Sequence, residues 1–324
     1  MAGTLMSPHL DAATDRSRTL ADMAAPSLPP ISIDWEVIES TTDRHPFDRL
    51  GWELIARAGQ IGEYVVDSTG LGDDGNRRAL SLDEAVIGGL FVRMTKLLRG
   101  LFDASQSDES EVHQIVARCV VETAVNLRWL LHRNDPEEYK RFRADSFVTW
   151  RKWLETTEPT GDSKLDRIAS RMRRHIENEL SAASLTWADV PKASGSWGRG
   201  SFRQRLADLN LERLYLVLFA THSSYVHGSW HELRTFHLKT EGDGLHLDST
   251  FGELGPPTSY EVTIASLEAA SDYVKAMPVP AAAADAVIAL AEPTIEACAR
   301  LGVAFADYVS RGGLDPLLER HVTG

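Results

Sequence analysis

Between Glu111 and Arg133 the chain reads EVHQIVARCVVETAVNLRWLLHR, apolar at almost every angle of a helical wheel. A helix that is hydrophobic on all sides is a buried one, so this stretch is expected to be the most enclosed in the protein. Three polar residues interrupt it in register. Arg118, Glu122 and Asn126 stand at i, i+4 and i+8, a single stripe with one turn between neighbours. Taking two charges out of water costs several kcal/mol per ion unless they are paired and hydrogen-bonded. Something polar is therefore expected opposite the stripe.

The same alternation of apolar and polar positions predicts the other elements. A short helix starts at Asp34. A longer one follows Pro46, with Phe47, Leu50, Leu54, Ile55, Ala58, Ile61 and Val65 at helical spacing. The glycines of Ser68 to Arg78 end it, and Ser81-Leu82-Asp83-Glu84 is a capping box that opens the next helix. Beyond the organising stretch, Asp135-Pro136 begins a helix spanning 137–155, and 162–184 forms another with a basic surface. An irregular loop covers 185–200, and a strongly apolar helix runs from Leu211 to His227, ending near Gly228. The period then changes to two around Glu241-Gly242-Asp243-Gly244, a hairpin signal within 234–251. Helices at 259–277 and 281–310 close the chain, with Pro293 expected to bend the last one. The pattern predicts an all-α bundle of about eight helices with one small β-hairpin insertion. Residues 1–30, without periodicity, read as a disordered leader, and 31–324 as one helical domain.

Of the remaining helices, Leu211–His227 alone combines a strongly apolar body with a polar patch at one end. Ser223 and His227 are four apart and Ser224 and His227 three apart, so a serine hydroxyl reaches the imidazole on one face. These residues and the Arg118–Glu122–Asn126 stripe are expected to form one site. The same constellation also serves as a purely structural network that fixes helix register.

Charge and composition narrow the chemistry. The formal net charge is −13, which disfavours nonspecific attachment to nucleic acid or anionic membrane by the chain as a whole. Locally the balance reverses: from Lys164 to Arg205 nine Lys and Arg stand against four Asp and Glu. Trp187, Trp197 and Phe202 interleave with that run, as charge and stacking surface do in single-strand binders, and Arg199 and Arg203 are its candidate contacts. A solvated helix face would show the same run. Cys119 and Cys298 lie in apolar patterns and read as core residues of a reducing, cytoplasmic environment. No apolar run is long enough to span a bilayer, so no membrane association is expected.

Other site chemistries lack their signatures. His222, His227, His231 and His237 cluster near Glu232, but no His-Glu-x-x-His or Glu-x-x-His motif accompanies them, so no metal site is assigned. No Gly-x-Ser-x-Gly elbow supports a serine nucleophile. The run Gly195-Ser196-Trp197-Gly198-Arg199-Gly200 lacks the Lys-Ser/Thr ending of a phosphate loop. No cofactor is expected.

The pair of helices, Arg-x-x-x-Glu at Arg118 to Glu122 and Ser-x-x-x-His-Gly at Ser223 to Gly228, resembles a group of bacterial all-helical proteins known as a domain of unknown function. That resemblance covers roughly 82–234 and implies a helical fold with a shared Arg/Glu/His site. A more distant likeness is to the HEPN bundles, dimeric RNases and nucleic-acid-binding modules, which implies a homodimer acting on nucleic acid. Their Arg-x4–6-His mark is absent: Arg128 and His132 have three residues between them, and no arginine precedes His227 at that distance. Two functions follow. The first is a binding or regulatory module that holds a small anion through Arg118. The second is a hydrolase in which His227 is the general acid/base, Glu122 orients it and Arg118 stabilises phosphate charge.

Overall fold

The structure, a computed structural model, describes residues 28–72, 76–104, 110–156, 163–193, 197, 200–212, 215, 230, 233–234, 237–241, 244–247 and 255–313. It is all-α with one small pair of strands. The helices are α1 (Trp35–Ser40), α2 (His45–Ser68), α3 (Leu82–Ala104), α4 (Ser110–Arg133), α5 (Pro136–Asp145), α6 (Val148–Thr156), α7 (Ser163–Ala182) and α8 (Phe202–Asp208), with α9 (Pro256–Ala276) and α10 (Ala281–Ser310) after the strands. Strands β1 (Leu238–Glu241) and β2 (Gly244–Leu247) pair antiparallel, Leu238 opposite Leu247 and Glu241 opposite Gly244.

Local chemistry sets the helix starts. Asp34 accepts from the Val37 amide at 3.2 Å, and Asp135 accepts from Glu137 at 3.0 Å ahead of Pro136 at the first helical position. Each satisfies an amide that has no partner within its helix. The capping box forms as expected: Ser81 Oγ accepts from the Glu84 amide at 3.3 Å, while the Ser81 amide donates to Glu84 Oε2 at 2.7 Å. Arg78 grips the same carboxylate with two nitrogens, at 2.9 and 2.5 Å. These donors hold the Glu84 carboxyl down to about 2.

The main core joins α2, α3, α4, α9 and α10, and α9 sits against all four of the others. Tyr260 donates from Oη to the Phe47 carbonyl at 3.0 Å, and Tyr273 Oη meets Thr69 Oγ1 at 3.1 Å. Those two contacts, one at each end, make α2 and α9 run in the same direction. Glycine permits the approach: a Cβ at Gly51 would stand 2.2 Å from Ser259 Oγ, and one at Gly62 would stand 2.8 Å from Thr95 Oγ1. A second cluster joins Ile38, Phe47, Leu54, Tyr260, Leu301 and Phe305. The third is a satellite, in which Ala144, Phe147 and Val148 meet Ile176, Leu180, Leu185 and Val190. It carries α6 and α7 on a small core of their own.

Several expectations need correction. The organising stretch is a helix, α4, and is fully enclosed from Ala117 to Leu130 along its inner face. Its first turns, however, leave Val112 and Ile115 exposed, and α9 buries a larger share of its residues. Helicity across 137–155 is broken into α5 and α6, because Ser146 turns its hydroxyl back to the Arg143 carbonyl at 2.6 Å, a local bond that competes with helix propagation. Helix α8 was not foreseen. Helix α10 runs over 281–310 as expected, with Pro293 inside it. Of the leader range, residues 28–30 lie along the body, with Leu28 against the main core and the Pro29 carbonyl accepting from Arg57 at 2.7 Å; residues 1–27 lie outside the described ones. Among the described residues no helix is long and apolar enough to cross a membrane.

Candidate functional site

Helix α4 carries the expected stripe, and the structure lengthens it. Arg118, Glu122 and Asn126 are each partly buried. One turn before Arg118 stands Gln114, only 4% exposed, and its carboxamide oxygen has no hydrogen-bond partner. Asn126 Oδ1, at the other end, is likewise buried and unpartnered. Gln114, Arg118, Glu122 and Asn126 thus form a line at four-residue spacing over about 18 Å of helix. Arg118 is itself engaged in a polar or electrostatic contact. His113, one residue earlier, points another way, with its ring edge on Trp52 of α2 at 5.3 Å.

The group set against the middle of this line comes from α8. That helix begins at Ser201, whose Oγ accepts from the Gln204 amide at 3.1 Å, and it is tied to α4 by the Trp129 indole donating to Asp208 at 2.9 Å. The tie places Arg205 in the seam between the two helices, 8% exposed. Its guanidinium lies over the Trp197 ring at 4.4 Å and near Phe202 at 5.6 Å. Trp197 is held in turn by Phe142 of α5, edge to face at 4.8 Å, and lies 6.2 Å from Trp129. Desolvation lowers the Arg205 pKa from its ordinary value, while the carboxylates of Glu122 and then Asp145 oppose that shift. Arg205 Nε has no partner. A buried guanidinium is worth keeping charged only if its donors are met, and here one is not.

The seam therefore offers a buried cation with a free donor, a carboxylate beside it and, one turn further along α4, the unpartnered oxygen of Asn126; Gln114 lies two turns away from Glu122 at the other end of the line. An aromatic wall of Trp197 and Phe202 backs the guanidinium. Such a set is chemically complementary to a polar molecule that brings both an anionic group and a hydrogen-bond donor.

The sequence placed Arg118, Glu122 and Asn126 on one face, and the structure keeps them there. Arg203 lies on the exposed side of α8, where Glu212 takes its guanidinium at 2.7 Å, so its charge is already met. His227, Ser223, Ser224 and Arg199 lie outside the described residues, as do His222, His231 and Glu232 and most of the Leu211–His227 helix. Arg205, counted from the sequence as part of a basic surface, is buried, with α8 tied to α4 by Trp129 and Asp208 and Trp197 over its guanidinium. Gln114 was legible, since it extends the four-residue spacing by one step. No spacing signal marked Arg205.

No curated protein and no solved structure matches the chain. A family described as "Family of unknown function (DUF5677)" matches residues 84–245, which is half of the chain and runs from α3 into β2. The matched segment holds the whole α4 stripe, Trp197 and α8, and the chain belongs to this family of unknown function.

Proposed function

We propose that the protein is a helical binding or regulatory module whose site is the α4–α8 seam, and that it takes a small polar anion. What carries this reading is the buried Arg205 with its unpartnered Nε beside Glu122, with the unpartnered oxygen of Asn126 one turn further along α4. Burying a guanidinium costs several kcal/mol, and stacking on Trp197 offsets about 2 kcal/mol of it. A ligand oxygen at Nε would supply more. Arg118, on the same stripe, is a second cation for that ligand, and Glu122 with Asn126 orients its donors. Residues 31–324 serve as one body for this site, with the hairpin an insertion. A hydrolase would need His227, outside the described residues, and no described group supports that step.

The test is thermal denaturation of the full chain with inorganic phosphate, glutamate or a nucleoside monophosphate in turn. At least one should raise Tm by several degrees. Arg205→Met should abolish that rise while changing the unliganded Tm little, because Glu122 keeps partial access to water. If no probe raises Tm and Arg205→Met instead costs about 3–5 kcal/mol, the seam is a structural network and this reading fails.

A further inference from the structure

Helix α7 turns a different face to solvent. Its apolar residues Ile176 and Leu180 are buried in the satellite core at 1% and 4% exposure. The opposite side carries Lys164, Arg167, Arg171 and Arg174 at i, i+3, i+7 and i+10, all exposed, followed by exposed Asn178. This spacing keeps the four cations on one edge. The acidic residues of α7, Asp166, Glu177 and Glu179, fall toward the borders of that edge rather than on it. His175 adds a further nitrogen beside the stripe, 4.0 Å from Glu179. The whole chain is at −13, so this is a local cationic line on an acidic body.

We infer that the outward edge of α7 docks the phosphate backbone of a nucleic acid. Three of the four cations are arginines, whose planar fork matches phosphate oxygens in pairs. From Lys164 to Arg174 the line is about 15 Å long, the reach of roughly four successive phosphates at ~3.4 Å each along one strand. A membrane surface fits less well. Helices that lie on membranes present a broad apolar face beside the basic one, and the apolar face of α7 is spent on the satellite core, leaving Ile168 as the exposed aliphatic side chain among its described residues. An acidic protein surface would meet the charge but not the regular pairing of forked donors. This inference goes beyond the seam and uses none of its residues.

The experiment is fluorescence anisotropy of the full chain with labelled 20-nucleotide RNA and DNA, single-stranded and duplex, between 50 and 200 mM salt. The wild-type chain should bind, with log K falling linearly against log salt. The R167Q/R171Q/R174Q variant, its helical circular dichroism unchanged, should bind at least tenfold more weakly at 100 mM salt. Its salt slope should be smaller by about two to three, since each lost phosphate contact removes roughly 0.7–0.9. The control variant R49Q/R99Q, which removes exposed arginines of α2 and α3, should bind nucleic acid as the wild type does, which separates loss of the α7 line from loss of positive charge in general. Absence of binding by the wild type, equal binding by the triple variant, or binding of polyglutamate or phosphatidylserine vesicles as tight as that of any oligonucleotide would each overturn it.

Discussion

Helix α4 meets its neighbours through two unlike faces, nearly half a turn apart. One face, with Ala117, Val120, Ala124 and Leu127, is dry and wholly enclosed among α2, α3 and α9. The other, with Gln114, Arg118, Glu122 and Asn126, meets α8 across Arg205 and leaves two oxygens and one donor without partners. On the dry face each side chain gains from contact with whatever apolar atoms are nearest, so almost any close packing satisfies it. On the polar face only a partner of the right polarity at hydrogen-bond distance will serve. Incomplete satisfaction beside a desolvated cation is the observation on which the seam is proposed as a place for a ligand.

The carboxylates of α9 repeat the contrast. Glu268 and Asp272 both bind Arg128 of α4, the second at 2.8 Å. Glu261, seven residues before Glu268 and so on the same edge, is governed by burial, which pushes its carboxyl up to about 7. Arg128 pairs with two carboxylates of this helix, whereas Glu261 is desolvated and resists ionisation.

These differences can be broken deliberately. The largest effect is expected on the dry face: Leu127→Ala, at a fully enclosed position, should cost about 2–5 kcal/mol through lost transfer energy and the cavity left behind, and no ligand should recover it specifically. Chemical denaturation measures this, and a cost under 1 kcal/mol would mean that the dry face is not close-packed.

A smaller effect, with a distinct pH signature, is expected from Glu261. Its folded pKa lies above the ordinary carboxylate value of 4.5. Between about 4.5 and 7 the folded chain holds a proton that the unfolded chain has released, so this group makes stability fall as pH rises through that window. Above about 7 the penalty is complete and constant. Glu261→Gln should raise Tm at pH 8 more than at pH 5, and equal shifts at both would show that the carboxyl is not desolvated.

The smallest effect belongs to Glu84. Its folded pKa is depressed, so its contribution is present above about 4.5 and is lost as pH falls toward 2. The pair with Arg78 is half exposed and therefore screened. Glu84→Gln should cost less than about 1 kcal/mol at pH 7, with the difference from wild type fading near pH 3, as thermal melts across pH would record.

What the sequence determined by itself was whatever depends on near neighbours along the chain. The helix period of Phe47 to Val65 placed those residues in the core, and all of them are buried. Ser81 and Glu84 specified a cap that needs only three residues. The four-residue spacing of Arg118, Glu122 and Asn126 put them on one face because α-helical geometry leaves no alternative. Tertiary structure alone decided what that face meets. Arg205 lies 83 positions beyond Glu122, in a seven-residue helix whose period is too short to read, and its burial follows from Trp129 gripping Asp208 and Trp197 closing over the guanidinium. The charge of Arg205 is written in the sequence, but its desolvation is not, since desolvation depends on which distant surfaces exclude water from it.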